Sequence, residues 1–130
     1  MSEPKGRSLE VPGITHGSAP IPMGARVGNM IFSSGIMGKD PVNNELPQDV
    51  GLQAKFAFEN MIALLKAGGA TLDNLARMTV FIKDESARPA VNEQWLKHFP
   101  DPHDRPARHT LVYDLPGGML LQLEVVAVIY

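Results

Sequence analysis

Cysteine is absent from all 130 residues. Disulfide staples, thiolate nucleophiles and cysteine-ligated zinc are thereby excluded. Long hydrophobic runs are missing too. The longest, Val125 to Tyr130, falls far short of the ~20 residues a membrane helix needs. There is no basic excess: 12 Lys plus Arg stand against 14 Asp plus Glu, a net charge of −2. That balance argues against a general nucleic-acid binder, which displaces counterions with a basic surface. The first ten residues carry no apolar segment of the signal-peptide kind, so a cytoplasmic protein without membrane attachment is expected. Neither a G-x-G-x-x-G nor a Walker pattern is present, which leaves nucleotide phosphate without a cradle. Ser33-Ser34-Gly35 lacks the G-x-S-x-G elbow of a serine nucleophile, and Ser34 reads as a hydrogen-bonding residue at a strand end.

What is present fits one ordinary domain over residues 1–130, with 44% hydrophobic and 20% charged residues. Residues 1–17 read as an irregular arm with a short strand near Ser8–Val11, broken by Pro12, Gly13 and Gly17. Gly28-Asn29 between Ala25–Val27 and Met30–Ser33 predicts a tight hairpin. Residues 35–44, rich in Gly, Pro and Asn, read as a loop. A helix follows Pro47, with Gln48 and Asp49 in its first turn and Ala54, Ala57, Phe58, Met61, Leu64 and Leu65 inward; Gly68-Gly69 stops it. Leu75 to Lys83 alternates as a strand, with Ala76, Met78, Val80 and Ile82 on one face. A second helix is expected over Arg88–Phe99, capped by Ser86, with Val91, Trp95, Leu96 and Phe99 as its apolar stripe. Ala107–Tyr113 and Met119–Tyr130 are the last strands, joined by a turn at Pro116-Gly117-Gly118. The expectation is an α+β fold: a mixed six-stranded sheet with two helices packed on one face.

Chemistry concentrates at Arg105-Pro106-Ala107-Arg108-His109-Thr110. An arginine on the first residues of a strand, preceded by proline, suits a carboxylate clamp, because its planar fork binds two oxygens at once. A solvated surface arginine is the ordinary alternative. Strand parity puts Arg108 and Thr110 together and turns His109 the other way. On the last strand, Gln122 and Glu124 share a face with Leu120, Val126, Val128 and Tyr130. A face so apolar fits a subunit interface better than open water. Glu124 lies ~6.6–6.8 Å from Gln122 along that face, too far to touch a water held there. His98, Asp101, His103, Asp104 and His109 crowd one stretch, but three prolines divide them and no helical ligand spacing appears, so no metal site is expected.

Taken in order, several segments resemble the reactive intermediate deaminase family, also called the YjgF or endoribonuclease L-PSP family. They are Arg26-Val27-Gly28-Asn29, Ser34-Gly35, Asp40-Pro41, Ala67-Gly68-Gly69-Ala70, Thr79-Val80-Phe81-Ile82-Lys83-Asp84, Val91-Asn92, Arg105-Pro106-Ala107-Arg108 and Glu124-Val125-Val126-Ala127-Val128. The resemblance spans about residues 18–130. It implies a chorismate-mutase-like fold and a homotrimer with a central barrel and clefts between subunits. It implies cofactor-free hydrolysis of small carboxylate-bearing enamines and imines, such as 2-aminoacrylate, to a 2-keto acid and ammonia. Arg108 falls on the family's carboxylate-binding arginine, and Ser34, Gly35 and Asn92 on positions at the cleft. Three positions depart from the family pattern: Gln122 stands where active members carry a water-positioning Glu, Ile21 where they carry a Tyr, and Thr110 where a Cys or other small residue is usual. The alternative is a non-catalytic protein binding small 2-keto acids or other carboxylates in the same cleft. An endoribonuclease has the least support, given the charge.

Overall fold

Gly28 adopts φ +61°, as the first central residue of a II′ turn requires, and folds two short strands into a hairpin. In the computed structural model, which describes residues 6–130, these strands are β2 (Gly24–Val27) and β3 (Met30–Ser33). Before them comes β1 (Ser8–Leu9). After them come β4 (Ile36–Met37), α1 (Val50–Ala67), β5 (Leu75–Ile82), α2 (Arg88–His98), β6 (Ala107–Val112) and β7 (Leu121–Val128). The sheet runs β1-β2-β3-β7-β5-β6, and β4 joins it beside β3 by pairing with β7. Every pairing is antiparallel except β5 with β6, which α2 connects as a crossover. The sheet thus has seven strands, one more than the sequence suggested. The addition is β4, two fully apolar residues hidden inside the Gly- and Pro-rich loop, too short for any alternation to show.

Both helices lie against one face. Ala54, Ala57, Phe58, Met61, Leu64 and Leu65 of α1 and Val91 of α2 join Ile31, Met78, Val80, Ile82, Leu121, Leu123, Val125 and Ala127 of the sheet in one core. Burying a side chain such as Phe58 contributes about 1.5–3 kcal/mol. Asp49 is the N-cap of α1 rather than part of its first turn, and its carboxylate accepts from Leu52 N. A bulge between Leu75 and Arg77 shifts the start of β5, so Leu75 is buried and Ala76 is exposed, the reverse of strict alternation. Ser86 does not cap α2; a 3₁₀ turn over Glu85–Ala87 intervenes, and Asp84 caps it. Leu96 is 55% exposed, while Gln94 takes the inward position. The arm is more ordered than its composition implies. β1 pairs with β2, and Val11 and Ile14 bridge each other and enter the core. Residues 1–5 of the arm lie outside the described residues.

The segment between β4 and α1 is held by buried amides. Asn60 donates to Met37 O and Lys39 O. Gly38 passes so close that a Cβ there would stand 2.1 Å from Gln53 O, which only glycine allows. Gln53, fully buried, donates to Pro47 O at 2.8 Å and Gly118 O at 3.0 Å and accepts from Leu120 N at 2.9 Å. One side chain therefore ties the entry of α1 to the turn that launches β7. Replacing Gln53 with Leu leaves those backbone groups unpaired. We expect a loss of about 2–4 kcal/mol in urea unfolding; a change under about 0.5 kcal/mol would show that the amide has no such role.

Candidate functional site

The face of the sheet away from the helices is uncovered. Cross-strand register places Gln122 opposite Phe81 and Glu124 opposite Thr79 on this outer face, with His109 opposite Thr79 on the far side of β5. Here an open cleft of about 480 Å³ is lined by His16, Ile21, Ser34, Gly35, Phe81, Tyr113, Gln122 and Glu124. Four of the residues expected from sequence, Ile21, Ser34, Gly35 and Gln122, come together in it. The chain reaches this point because β3 ends at Ser33, whose hydroxyl accepts from Val125 N at 2.8 Å, and Ser34 N then bonds Met23 O. That break in the ladder aims Ser34 and Gly35 at Gln122. The Gln122 amide lies directly over Gly35, and its Nε2 also approaches Met119 Sδ at 3.7 Å.

Four lining residues were not expected as site residues. Phe81 and Tyr113 form an edge-on aromatic pair, 6.0 Å between centroids. Their parity with Gln122 is a usable signal. Glu124 is exposed and lines the same cleft as Gln122. His16 reaches over from the arm, its Nε2 2.8 Å from Gly35 O and its Nδ1 buried without a partner. No local pattern betrays His16, because its partner lies 19 residues away.

Arg108 and Thr110 lie elsewhere. They are opposite Met78 and Val80, on the helix-covered face at the β6 edge of the sheet. Within one chain, Arg108 and Gln122 therefore point to opposite faces. Arg108 Nε donates to Thr110 Oγ1 at 3.0 Å, and the guanidinium carbon sits 5.1 Å from the Trp95 ring centroid. Trp95, read from sequence as plain core, is only partly buried and also packs on Phe99 at 4.9 Å. Burial lowers the Arg108 pKa, and the charge of Arg88 lowers it further; a guanidinium remains protonated regardless. Asn92 is exposed on α2, one turn beyond Arg88, and is outside the outer-face cleft.

The crowded His/Asp stretch does not converge. His98 stacks on Phe58, Asp101 caps His103 N, and His109 faces the outer side. Among the described residues no three such side chains form a group that could hold a metal ion. A second hollow, of about 260 Å³, lies between Leu72–Asp73 and His98–Pro106; Arg105 and Pro106 line it, but Ile21, Ser34, Gly35, Asn92, Arg108, Thr110 and Gln122 do not. Among the described residues no helix is long and apolar enough to cross a membrane.

A helix-backed sheet with a bare polar-and-apolar face, an open cleft on that face and an arginine on its parallel edge strand defines a small α+β protein. Comparison with known proteins gives the family: residues 19–129 match the family described as Endoribonuclease L-PSP, and the chain belongs to this YjgF/reactive intermediate deaminase family. Among curated relatives, a protein of Escherichia coli K12 named as a reactive intermediate deaminase, TdcF, is 36% identical over 84% of this chain and 86% of its own. The 2-iminobutanoate/2-iminopropanoate deaminase of the same organism is 32% identical over 84% and 87%. Among solved structures, E. coli TdcF with bound serine superposes with a TM-score of 0.86 at 29% identity, covering 96% of this chain and all of that one. The two helices and mixed open sheet are those of this family.

A Cβ at Gly35 would stand 2.5 Å from Gln122 Nε2, the far end of a flexible side chain. Gly35→Ala should therefore fold, within about 1 kcal/mol of the parent, while displacing the amide. The side-chain amide resonances of Gln122 should move. Unchanged resonances in a folded variant would remove Gln122 from the floor of this cleft.

Proposed function

We propose that the chain hydrolyses small carboxylate-bearing enamines and imines of the 2-aminoacrylate type to a 2-keto acid and ammonia, without a cofactor. The observation that carries the reading is the division of the site. A fixed guanidinium sits at a sheet edge, and a cleft with a hydrogen-bonding amide sits on the opposite face. Each half lacks what the other supplies, and a neighbouring copy can bring them together. The outer face supports such assembly: Val27 and Phe32 are 58% and 43% exposed, and Val126 and Val128 lie beside them. So wide an apolar surface is characteristic of an interface. The assembly proposed is a homotrimer of the chorismate-mutase-like kind, with the outer faces around a central barrel and Arg108 of one copy facing the Gln122 cleft of the next. The cytoplasm is its proposed location.

In this cleft Arg108 grips the substrate carboxylate through paired N–H···O contacts. Ser34 and Gly35 line the substrate's surroundings, Asn92 enters from the neighbouring copy together with its Arg108, and Ile21 closes the apolar side. The enamine takes a proton from solvent at C3 and becomes the iminium; an imine substrate reaches the same iminium by taking one proton on nitrogen. A water held by Gln122 then adds to C2. Loss of a proton from the added water and of ammonia from the carbinolamine leaves the keto acid. The neutral amide orients the water and removes no proton. That property favours a second reading, a carboxylate-binding protein without turnover, because a carboxylate at position 122 would supply the missing base. Endoribonuclease activity, which the family's description names, has least support from a chain of net charge −2.

The deciding experiment adds the protein to a serine or threonine dehydratase reaction and follows release of ammonia and keto acid. Weak acceleration is expected from the parent. Gln122→Glu should raise it, within the 10²–10⁴-fold range of a positioned acid–base group, alone or with Ile21→Tyr. No acceleration by any of the three proteins, with 2-ketobutyrate still bound, would favour the binding-only reading. Arg108→Ala should weaken 2-ketobutyrate binding by about 10–150-fold, and Arg108→Lys should restore part of it. Light scattering at micromolar concentration should give three times the chain mass; a monomer would dismantle the shared cleft.

A further inference from the structure

We propose that Trp95 and Thr110 are positioning residues for Arg108, holding its guanidinium so that only the terminal Nη1–Nη2 edge is offered to a carboxylate. The inference rests on the reading of Arg108 as the carboxylate clamp.

A guanidinium has two edges that can grip a carboxylate with two parallel hydrogen bonds. One is the side edge, Nε with one Nη; the other is the end edge, Nη1 with Nη2. Here the Nε–H is committed to Thr110 Oγ1 at 3.0 Å, which removes the side edge. Thr110 is the next residue on the same face of β6, so the bond closes over two residues of one strand. Threonine is a rigid acceptor for this purpose, because β-branching restricts χ1. The second restraint acts on the plane of the fork. The Trp95 ring, 5.1 Å away, lies within cation–π range, and is itself held by Phe99 at 4.9 Å. Phe99 is in turn fixed where its carbonyl accepts from Arg105 Nε at 2.9 Å. A free arginine samples many rotamers, and freezing it on binding weakens affinity. In this chain the freezing precedes the ligand. Thr110, on this argument, touches Arg108 rather than substrate, and a ligand carboxylate must approach along the long axis of the arginine.

The test measures 2-ketobutyrate binding to full-length variants by calorimetry, with urea unfolding as a control. Thr110→Val removes the acceptor at constant shape, and Trp95→Leu removes the ring. Each should weaken binding about five- to twentyfold, while Thr110→Ser and Trp95→Phe keep most of it. The decisive readout is coupling. With Arg108→Lys, which has no Nε–H and no planar fork, Thr110→Val should have no further effect on binding. A purely structural threonine would weaken both backgrounds alike, which would overturn the proposal. So would parent-like affinity in Thr110→Val, a variant that leaves the packing volume of β6 intact and so reports even if Trp95→Leu unfolds. Parent-like affinity in Arg108→Ala would instead strike at the clamp reading itself, and the positioning argument would fall with it.

Discussion

The strict alternation of β7 is the constraint on which the rest of the molecule depends. Leu121, Leu123, Val125 and Ala127 face the helices and are buried, while Gln122, Glu124, Val126 and Val128 face outward. β7 is also the strand that β3, β4 and β5 all pair with. A slip of one residue would turn Gln122 into the core and Leu121 or Leu123 into the cleft. Core packing therefore fixes the chemistry of the outer face, and the site inherits its accuracy from the apolar residues behind it.

The same logic explains why Arg108 and Gln122, the two parts of the proposed site, point apart. β6 runs parallel to β5 in matched register, so Arg108 follows Met78 to the helix side while His109 follows Thr79 outward. Pro106 and the following strand set where Arg108 stands, but the parity is dictated by the sheet. Arg108 is half-buried against Trp95 instead of free in water. Desolvation of that kind would strengthen a charge-assisted contact with the carboxylate proposed to bind there.

Much of the fold is legible in the sequence because period and punctuation agree. The hairpin around Gly28-Asn29, the eighteen-residue α1 ending at Gly68-Gly69, and the alternation of β5 and β7 all follow from local signals. The failures have physical causes. The bulge at Leu75–Arg77 breaks a period the residues themselves keep. β4 is two residues long and exists only because β7 offers it a partner. Leu96 faces solvent because α2 rotates Gln94 and Val91 inward instead. Of the site, the residues on strands and at strand ends are legible by parity, and the likeness to the deaminase family singles out Arg108 and Gln122. His16 is not legible at all, since a contact between the arm and Gly35 has no signature shorter than the tertiary fold. Nor is the support of Arg108 by Trp95, which depends on how α2 crosses the β6 edge.

The N-terminal arm serves the core and the cleft at once. Val11 and Ile14 plug the core, Lys39 Nζ and Asn44 grip Thr15, and His16, the next residue, closes on Gly35. Within six residues the chain passes from sealing the hydrophobic interior to shaping the wall of the cleft. Trimming or loosening it cannot alter one without the other. A change that unseats Val11 and Ile14 from the core therefore also displaces His16 from the wall of the cleft.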